Sequence, residues 1–266
     1  FRKGLALMPA KFGISFNKPS FNQAGALVNV YSDGSIRLNH GGTEMGQGLF
    51  IKVAQVVAEC FKVPVDQIHI TSTNTAEVPN TSATAASSGS DLNGMAAWNA
   101  ADQIKKRMIS HVAQLFNKSK SDIIFSNGRI WADKNSMSFS ELAHSCWDHR
   151  ISLSSTGFYK TPKIHWDQDK LHGHPYFYFT WGAALSEALI DTNTGESRII
   201  RADIIQDCGK SLNENIDIGQ IEGGFIQGLG WLTCEELVFS SNGKLLTTGP
   251  STYKLPGSRD IPMEFN

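Results

Sequence analysis

Apolar and polar positions alternate through Gly25-Ala26-Leu27-Val28-Asn29-Val30-Tyr31 and again through Ser35-Ile36-Arg37-Leu38-Asn39-His40, with Asp33-Gly34 between them. An Asp-Gly turn between two such runs predicts a β-hairpin. The period then lengthens: after a glycine-rich step, Leu49, Val53, Val56, Val57 and Cys60 recur at helical spacing, and Pro64 marks the stop. Ile68-His69-Ile70 predicts the next strand. From Thr71 to Ser90 neither period holds, which predicts an ordered loop, and Leu92, Met95, Ile104, Met108 and Leu115 then outline a second helix. A strand pair is expected around Asn127-Gly128, followed by Ser138-Phe139-Ser140-Glu141, the spacing of a capping box, opening a short helix through Cys146. Residues 152–174 carry no pattern and are expected to be irregular. The hairpin plan returns over 177–190 and 197–205 around Asn193-Thr194-Gly195, and a glycine-rich helix follows from Ile218 to Gly228. Two β-β-α units with glycine-rich helix starts, 24–62 and 176–230, define an α+β class. Two subdomains, 1–120 and 121–266, are the expected division.

Composition narrows the function classes. The 266 residues are 41% hydrophobic and 18% charged with a net charge of -1. This is an ordinary soluble globular composition that argues against nucleic-acid binding and against a membrane protein. Phe1-Arg2-Lys3 leads only into Gly4-Leu5-Ala6-Leu7-Met8-Pro9, too brief for a signal peptide, so a cytoplasmic location is expected. Cys60, Cys146, Cys208 and Cys234 are scattered and form no C-x-x-C pair, which predicts buried, reduced thiols with no zinc or iron–sulfur site of their own. The eight histidines, His172 and His174 among them, are not arranged as metal ligands. A start without methionine and a stop at Asn266, after an expected strand at 261–265, point to a domain cut from a longer polypeptide.

Three small-residue segments are candidates for ligand contact. Gly46-Gln47-Gly48 at a helix start would let backbone N–H groups approach an anion, or would be a plain tight turn. It lacks the Lys and Ser/Thr of a P-loop and the third glycine of a dinucleotide fingerprint. The run from Asn80 to Ser90 is nearly free of large side chains, as needed where backbone lies against a flat, polar ligand, or in a flexible linker. Gly219, Gly223 and Gly230 share a helix face and predict close helix packing, with Gln220 the ambiguous neighbour.

Taken together, Lys11-Phe12-Gly13-Ile14-Ser15-Phe16, Asn22-Gln23-Ala24-Gly25-Ala26, His40 to Gly48, Val78 to Ser87, Ser155-Thr156-Gly157-Phe158-Tyr159, Asp217 to Gly223 and Pro250-Ser251-Thr252-Tyr253-Lys254 resemble the xanthine dehydrogenase and aldehyde oxidase family in order and spacing. Ser155 to Tyr159 is closer to the xanthine dehydrogenase branch. The resemblance implies the molybdenum-cofactor-binding domain of a molybdenum hydroxylase, an oxidoreductase that places water-derived oxygen on a ring carbon of xanthine or hypoxanthine. It implies a molybdenum–molybdopterin cofactor with no protein side chain as direct metal ligand. Met45, Gly46 and Gln47 match the family's first cofactor-contacting loop, Ala85, Ala86, Ser87 and Ser88 its second, and Gln220 a third contact.

By the same resemblance Phe16 contacts the purine. Asn17 stands beside it where relatives carry threonine, and Lys18 is a second unusual neighbour, so purine preference is the property these departures touch. No catalytic residue is implied within the chain: the family's general-base glutamate falls in a motif beyond Asn266. Iron–sulfur clusters and FAD are implied on partner domains or subunits, together with the remainder of the molybdenum subunit. The alternatives are an aldehyde or other N-heterocycle oxidase of the same family, or a non-catalytic binding or assembly module.

Overall fold

A computed structural model describes residues 1–77 and 81–266, so the Val78-Pro79-Asn80 start of one motif lies outside the described residues. In chain order the elements begin β1 (Arg2–Ile14), β2 (Gln23–Val30), β3 (Ile36–His40), α1 (Leu49–Phe61), β4 (Ile68–Ile70) and α2 (Gly89–Leu115). Next come β5 (Ile123–Ser126), β6 (Arg129–Ala132), β7 (Asn135–Ser138), α3 (Phe139–Asp148), β8 (Ser154–Lys160), β9 (His165–Asp167) and β10 (His172–His174). The last are β11 (Tyr178–Ile190), β12 (Ser197–Gln206), α4 (Glu214–Thr233) and β13 (Glu264–Phe265). Both expected β-β-α units are present, as β2-β3-α1 and β11-β12-α4. The chain divides into two compact units, Gly13–Tyr178 and Phe1–Phe12 with Phe179–Asn266, and not near residue 120. The physical reason is that β8 pairs with β2 across that point.

The core of the Gly13–Tyr178 unit follows from period-2 burial. Ala24, Ala26, Val28 and Val30 of β2, with Ile36 and Leu38 of β3, turn inward within a sheet ordered β4-β3-β2-β8. Onto them pack Leu49, Val53, Val57 and Phe61 of α1, and Leu92, Ile104, Met108 and Val112 of α2. The pattern overreached at two positions: Met95 and Leu115 of α2 are exposed. Ala96, Ala97, Ala100 and Ala101 supply the close-packing face instead, fully buried. A Cβ on Gly157 of β8 would run into the Ala96 carbonyl and lie 2.5 Å from the Ala100 nitrogen, so glycine is what lets helix and strand approach.

The same helix covers the free edge of β8. Asn99 Nδ2 donates to the Phe158 carbonyl at 2.9 Å, Gln103 Nε2 to Thr156 at 3.2 Å and Arg107 Nη2 to Ser154 at 2.8 Å. Four residues of helix rise about 6 Å and two residues of strand about 6.7 Å, so every fourth side chain of α2 meets every second carbonyl. An edge that would otherwise offer acceptors to another strand is thereby occupied. This corrects the irregular reading of 152–174, which also holds the β9–β10 hairpin. The sheet β5-β6-β7 leads into α3 through the expected capping box, Ser138 Oγ accepting from the Glu141 N–H at 3.1 Å and Glu141 from the Ser138 N–H at 2.6 Å.

The other unit is built on a sheet ordered β1-β11-β12-β13, antiparallel between β11 and β12 with a bulge at Glu187/Ala188 and parallel between β12 and β13. β1 carries no pattern that predicted it, and the strand expected at 261–265 shortens to Glu264–Phe265. Ala202 is this unit's one buried hydrophobic residue among those described, whereas Phe1, Ile205, Trp231, Leu232 and Met263 are exposed. Among the described residues the helix packing expected of the α4 glycines is not seen: a Cβ on Gly219 or Gly223 would meet nothing within 4 Å and one on Gly230 would meet Glu235 and Pro256. All four thiols are free, but only Cys60 and Cys146 are buried; Cys208 and Cys234 are exposed.

Burial pushes the Cys60 thiol up to about 12, which makes it inert while the unit is folded. Gly157→Ala, by forcing α2 off β8, is expected to cost about 1–3 kcal/mol as an overpacking change. In the full-length protein the urea midpoint at which Cys60 becomes labelled by a thiol reagent should fall accordingly; an unchanged midpoint means the strand and helix have slack.

Candidate functional site

The step into α1 is organised by a carboxylate. Glu44 Oε1 accepts from the Gly46 and Gly48 N–H groups at 2.9 and 3.0 Å, and Oε2 from the Phe50 N–H at 2.9 Å. Gly46 (φ 98) and Gly48 (φ 76) take the left-handed conformations that wrap backbone around one side chain. Gln47 finishes the loop: its Oε1 accepts from the Met45 N–H at 2.6 Å, and its Nε2 donates to the Thr43 carbonyl at 2.8 Å. The positive end of α1 therefore already holds an anion. That corrects the reading of these amides as a cradle for an external one. Burial pushes the Glu44 carboxyl up, but the N–H groups of Phe50, Gly48, Gly46 and Met45 outweigh it and hold the group below its ordinary range. What the loop leaves free is the exposed Met45 side chain and the open space beside Gly46.

The second loop is the opposite case. Ala86 (φ 56) and Ser87 (φ 55) are both left-handed, a conformation that costs a non-glycine residue energy and concentrates at functional sites. Ser88 is buried and folds back on Ala85, its N–H and Oγ donating to that carbonyl at 3.4 and 3.1 Å. It stands at the N-cap of α2 yet gives the helix no side-chain hydrogen bond. Among the described residues the Ala86 and Ser87 amides have no acceptor either. A 27-residue helix thus begins with its N–H groups open beside two further unpaired amides, a donor-rich face framed by small side chains.

Hydroxyl groups stitch the loops together. The Thr43 N–H donates to Thr84 Oγ1 at 2.9 Å, and Ser82 Oγ donates to the Gln23 carbonyl at 3.1 Å. Gly41 lies so near Thr81 that a Cβ would fall 2.5 Å from the threonine Cβ. Gln23 follows Asn22, whose side chain clamps the Phe16 turn by accepting the Phe16 N–H at 2.8 Å and donating to the Phe16 carbonyl at 2.9 Å. Phe16 packs edge-on against Phe21, centroids 5.5 Å apart. Ser15, buried and at φ 150, has a hydroxyl without a partner among the described residues. Asn22 supplies the backbone clamp, and Asn17 is left exposed, with no hydrogen bond to the turn among the described residues. Phe16, Met45–Gln47 and Ala85–Ser88 are thus parts of one connected region of the Gly13–Tyr178 unit.

Two more side chains hold the start of α2. The Tyr178 hydroxyl donates to Asp91 Oδ2 in the first helical turn. Burial pushes the Asp91 carboxyl up and the tyrosine only partly offsets it. Gln220 lies in the other unit, exposed on α4. Nothing in sequence pattern singled out Glu44, Asn22, Thr84 or Asp91; for Glu44, Asn22 and Asp91 the available signal was an acidic or amide side chain two to six residues from a glycine or a turn, and for Thr84 there was none. Among the described residues no three His, Cys, Asp or Glu side chains converge as metal ligands, and no helix is long and apolar enough to cross a membrane. An open row of amides with small side chains fits a flat ligand rich in acceptors.

The family model of the molybdopterin cofactor-binding domain matches residues 1–262. Xanthine dehydrogenase of Dictyostelium discoideum is 47% identical over 269 residues, taking in 100% of this chain and 18% of that protein. Xanthine dehydrogenase/oxidase of Mus musculus is 47% identical over 264 residues, 99% of this chain and 18% of that protein. The chain thus spans under a fifth of the length of these relatives. Quinoline 2-oxidoreductase from Pseudomonas putida 86 shares the fold with a TM-score of 0.81 at 21% identity, over 99% of this chain and 34% of its own. The Cu,Mo-CO dehydrogenase superposes at 0.83 with 20% identity and the same coverage.

Replacing Glu44 by Gln leaves one acceptor oxygen for three donors and removes the charge. The expected loss is about 1 kcal/mol, the size of a helix cap. Since the folded carboxyl titrates below its ordinary value, its contribution is present above about pH 5 and is lost as pH falls through the folded pKa. The denaturation midpoints of wild type and Glu44→Gln should therefore differ near neutral pH and converge in acid; a pH-independent difference would mean that the charge is irrelevant.

Proposed function

Because the chain belongs to the molybdopterin cofactor-binding domain family, we propose that it forms part of the cofactor and substrate site of a xanthine dehydrogenase, a molybdenum hydroxylase that oxidises xanthine or hypoxanthine at a ring carbon with oxygen from water. The observation that carries this reading is the open start of α2: amides of Ala86 and Ser87 unpaired among the described residues, a helix end without a side-chain cap, and hydrogen bonds that link this loop to the Phe16 turn. Identity of 47% to proteins named xanthine dehydrogenase supports the substrate class.

In this reading Ala85, Ala86, Ser87 and Ser88 lie against the molybdenum pterin and donate to its acceptors, which side chains larger than these would obstruct. Met45 and Gly46 border it from the first loop. Gln47, with one amide N–H engaged on Thr43 and the other free, donates from there. Gln220 is a third contact. The bound group supplies the redox and oxygen-transfer chemistry; the chain's own residues place it and the heterocycle. Phe16 offers a ring face to the planar substrate, and Asn17 offers an amide donor and acceptor to its edge. The general base, iron–sulfur clusters, FAD and the rest of the molybdenum subunit are assigned to other parts of the full enzyme, and its location to the cytoplasm. Asn17, standing where relatives carry threonine, favours another N-heterocycle as the second reading.

Metal analysis and substrate profiling of the full-length protein test both readings. Stoichiometric molybdenum and turnover of xanthine or hypoxanthine support the first; molybdenum with turnover of another heterocycle alone supports the second; a protein without molybdenum contradicts both. A substrate that leaves the Asn17 amide unpaired loses about 1–3 kcal/mol, one to two decades in kcat/KM. Asn17→Thr is therefore expected to change the xanthine-to-hypoxanthine ratio of kcat/KM at unchanged molybdenum content, and an unchanged ratio would remove Asn17 from the substrate site.

A further inference from the structure

Folded proteins leave few buried polar atoms without a partner, and two of those here are complementary neighbours. His40 ends β3 and is 1% exposed. Its Nδ1 accepts the Gly42 N–H at 3.1 Å, which assigns the ring proton to Nε2. Among the described residues that Nε2 has no partner at bonding geometry, and neither has Oδ1 of Asn93, 3% exposed near the start of α2. The Asn93 side chain lies close enough to the imidazole to raise its pKa as a side-chain hydrogen-bond partner, although Nε2 and Oδ1 do not reach bonding geometry. Its Nδ2 donates to the Gly89 carbonyl at 2.9 Å, which fixes the amide so that Oδ1 is the atom left over. Close packing surrounds the pair: the imidazole meets Phe50 of α1 edge-on at 5.2 Å. A Cβ on Gly42 would fall 2.8 Å from Asn93 Nδ2 and 2.5 Å from a Leu49 methyl.

We propose that His40 and Asn93 form a positioning joint, closed by an Nε2–H to Oδ1 hydrogen bond, that sets the spacing between the loop before α1 and the loop before α2. Through Gly42 the imidazole holds the first loop, and through Gly89, the first residue of α2, the amide is fixed to the helix start from which the second loop departs. The cofactor meaning of that spacing rests on the function proposed above for the two loops; the joint itself does not. Burial pushes the imidazole down to about 4, against Asn93 and Glu44, which raise it. A neutral ring follows at physiological pH, and only a neutral ring has an Nδ1 able to accept from Gly42. Neither residue touches the ligand in this account.

The test uses the full-length protein with His40→Ala, Asn93→Ala, the double variant, and Met108→Ala as a control in the buried middle of α2. Denaturation midpoint and molybdenum bound per folded polypeptide are read for each. Each single variant at the joint is expected to lower molybdenum content about tenfold, with the double no worse than the worse single; Met108→Ala should lower the midpoint and leave molybdenum unchanged. Multiplying losses in the double, or molybdenum content that follows the midpoint equally in all variants, would overturn the joint. His40→Asn, which retains an acceptor for Gly42 and loses the donor to Asn93, replaces His40→Ala if that variant does not fold, with the same criteria. If the wild type holds no molybdenum, the proposed function fails, and the midpoints alone decide: non-additive losses support the joint and additive losses overturn it.

Discussion

Everything at the candidate site depends on how closely α2 lies against β8. The contact is possible because four alanines face a strand whose central position is Gly157, where any Cβ would strike the helix backbone. Once the backbones are that near, Asn99, Gln103 and Arg107 reach successive strand carbonyls, and helix and strand are fixed in register as well as in distance. The start of α2 is then set, and the loop that precedes it inherits that position. Tyr178 on Asp91 and Asn93 on Gly89 add hydrogen bonds at the same end.

From this anchoring comes a division of labour between two helix starts a few residues from each other's loops. Both offer unpaired N–H groups and a favourable potential for negative charge. At α1 the protein supplies the anion itself, with Glu44 spanning three amides. At α2 no side chain does so, and the two preceding residues are held in left-handed conformations that turn no large group toward the opening. The first is closed by the protein's own carboxylate and the second is left without a side-chain cap. The Thr43–Thr84 hydrogen bond couples them, so the self-capped loop braces the open one.

Sequence pattern revealed elements whose burial is carried by apolar side chains. The 24–40 hairpin and α1 were legible because alternation and helical spacing translate directly into buried faces. β8 was not, because Ser154-Ser155-Thr156-Gly157-Phe158-Tyr159-Lys160 is covered by alanine backbone and its edge is satisfied by polar side chains of α2, neither of which leaves an apolar period. Met95 and Leu115 misled for the converse reason: they continue the helical pattern but face away from the alanine stripe that does the packing. For the site, motif resemblance pointed to Phe16, the Met45–Gln47 loop and the Ala85–Ser88 loop, which hydrogen bonds link into one region, while pattern alone left each ambiguous. The groups that build it, Glu44, Asn22, Thr84 and the His40–Asn93 pair, act through hydrogen bonds to backbone atoms, most of them two to six residues away, and hydropathy carries no trace of such partnerships.

The central claim is that α2, and not α1, presents its N-terminus to the cofactor. Hydrogen–deuterium exchange of the full-length protein, compared with and without bound cofactor, reads this amide by amide. The account predicts that residues 86–91 gain protection on loading, while Gly46, Gly48 and Phe50, already bonded to Glu44, change little. Protection gained at 46–50 with 86–91 unchanged would contradict it.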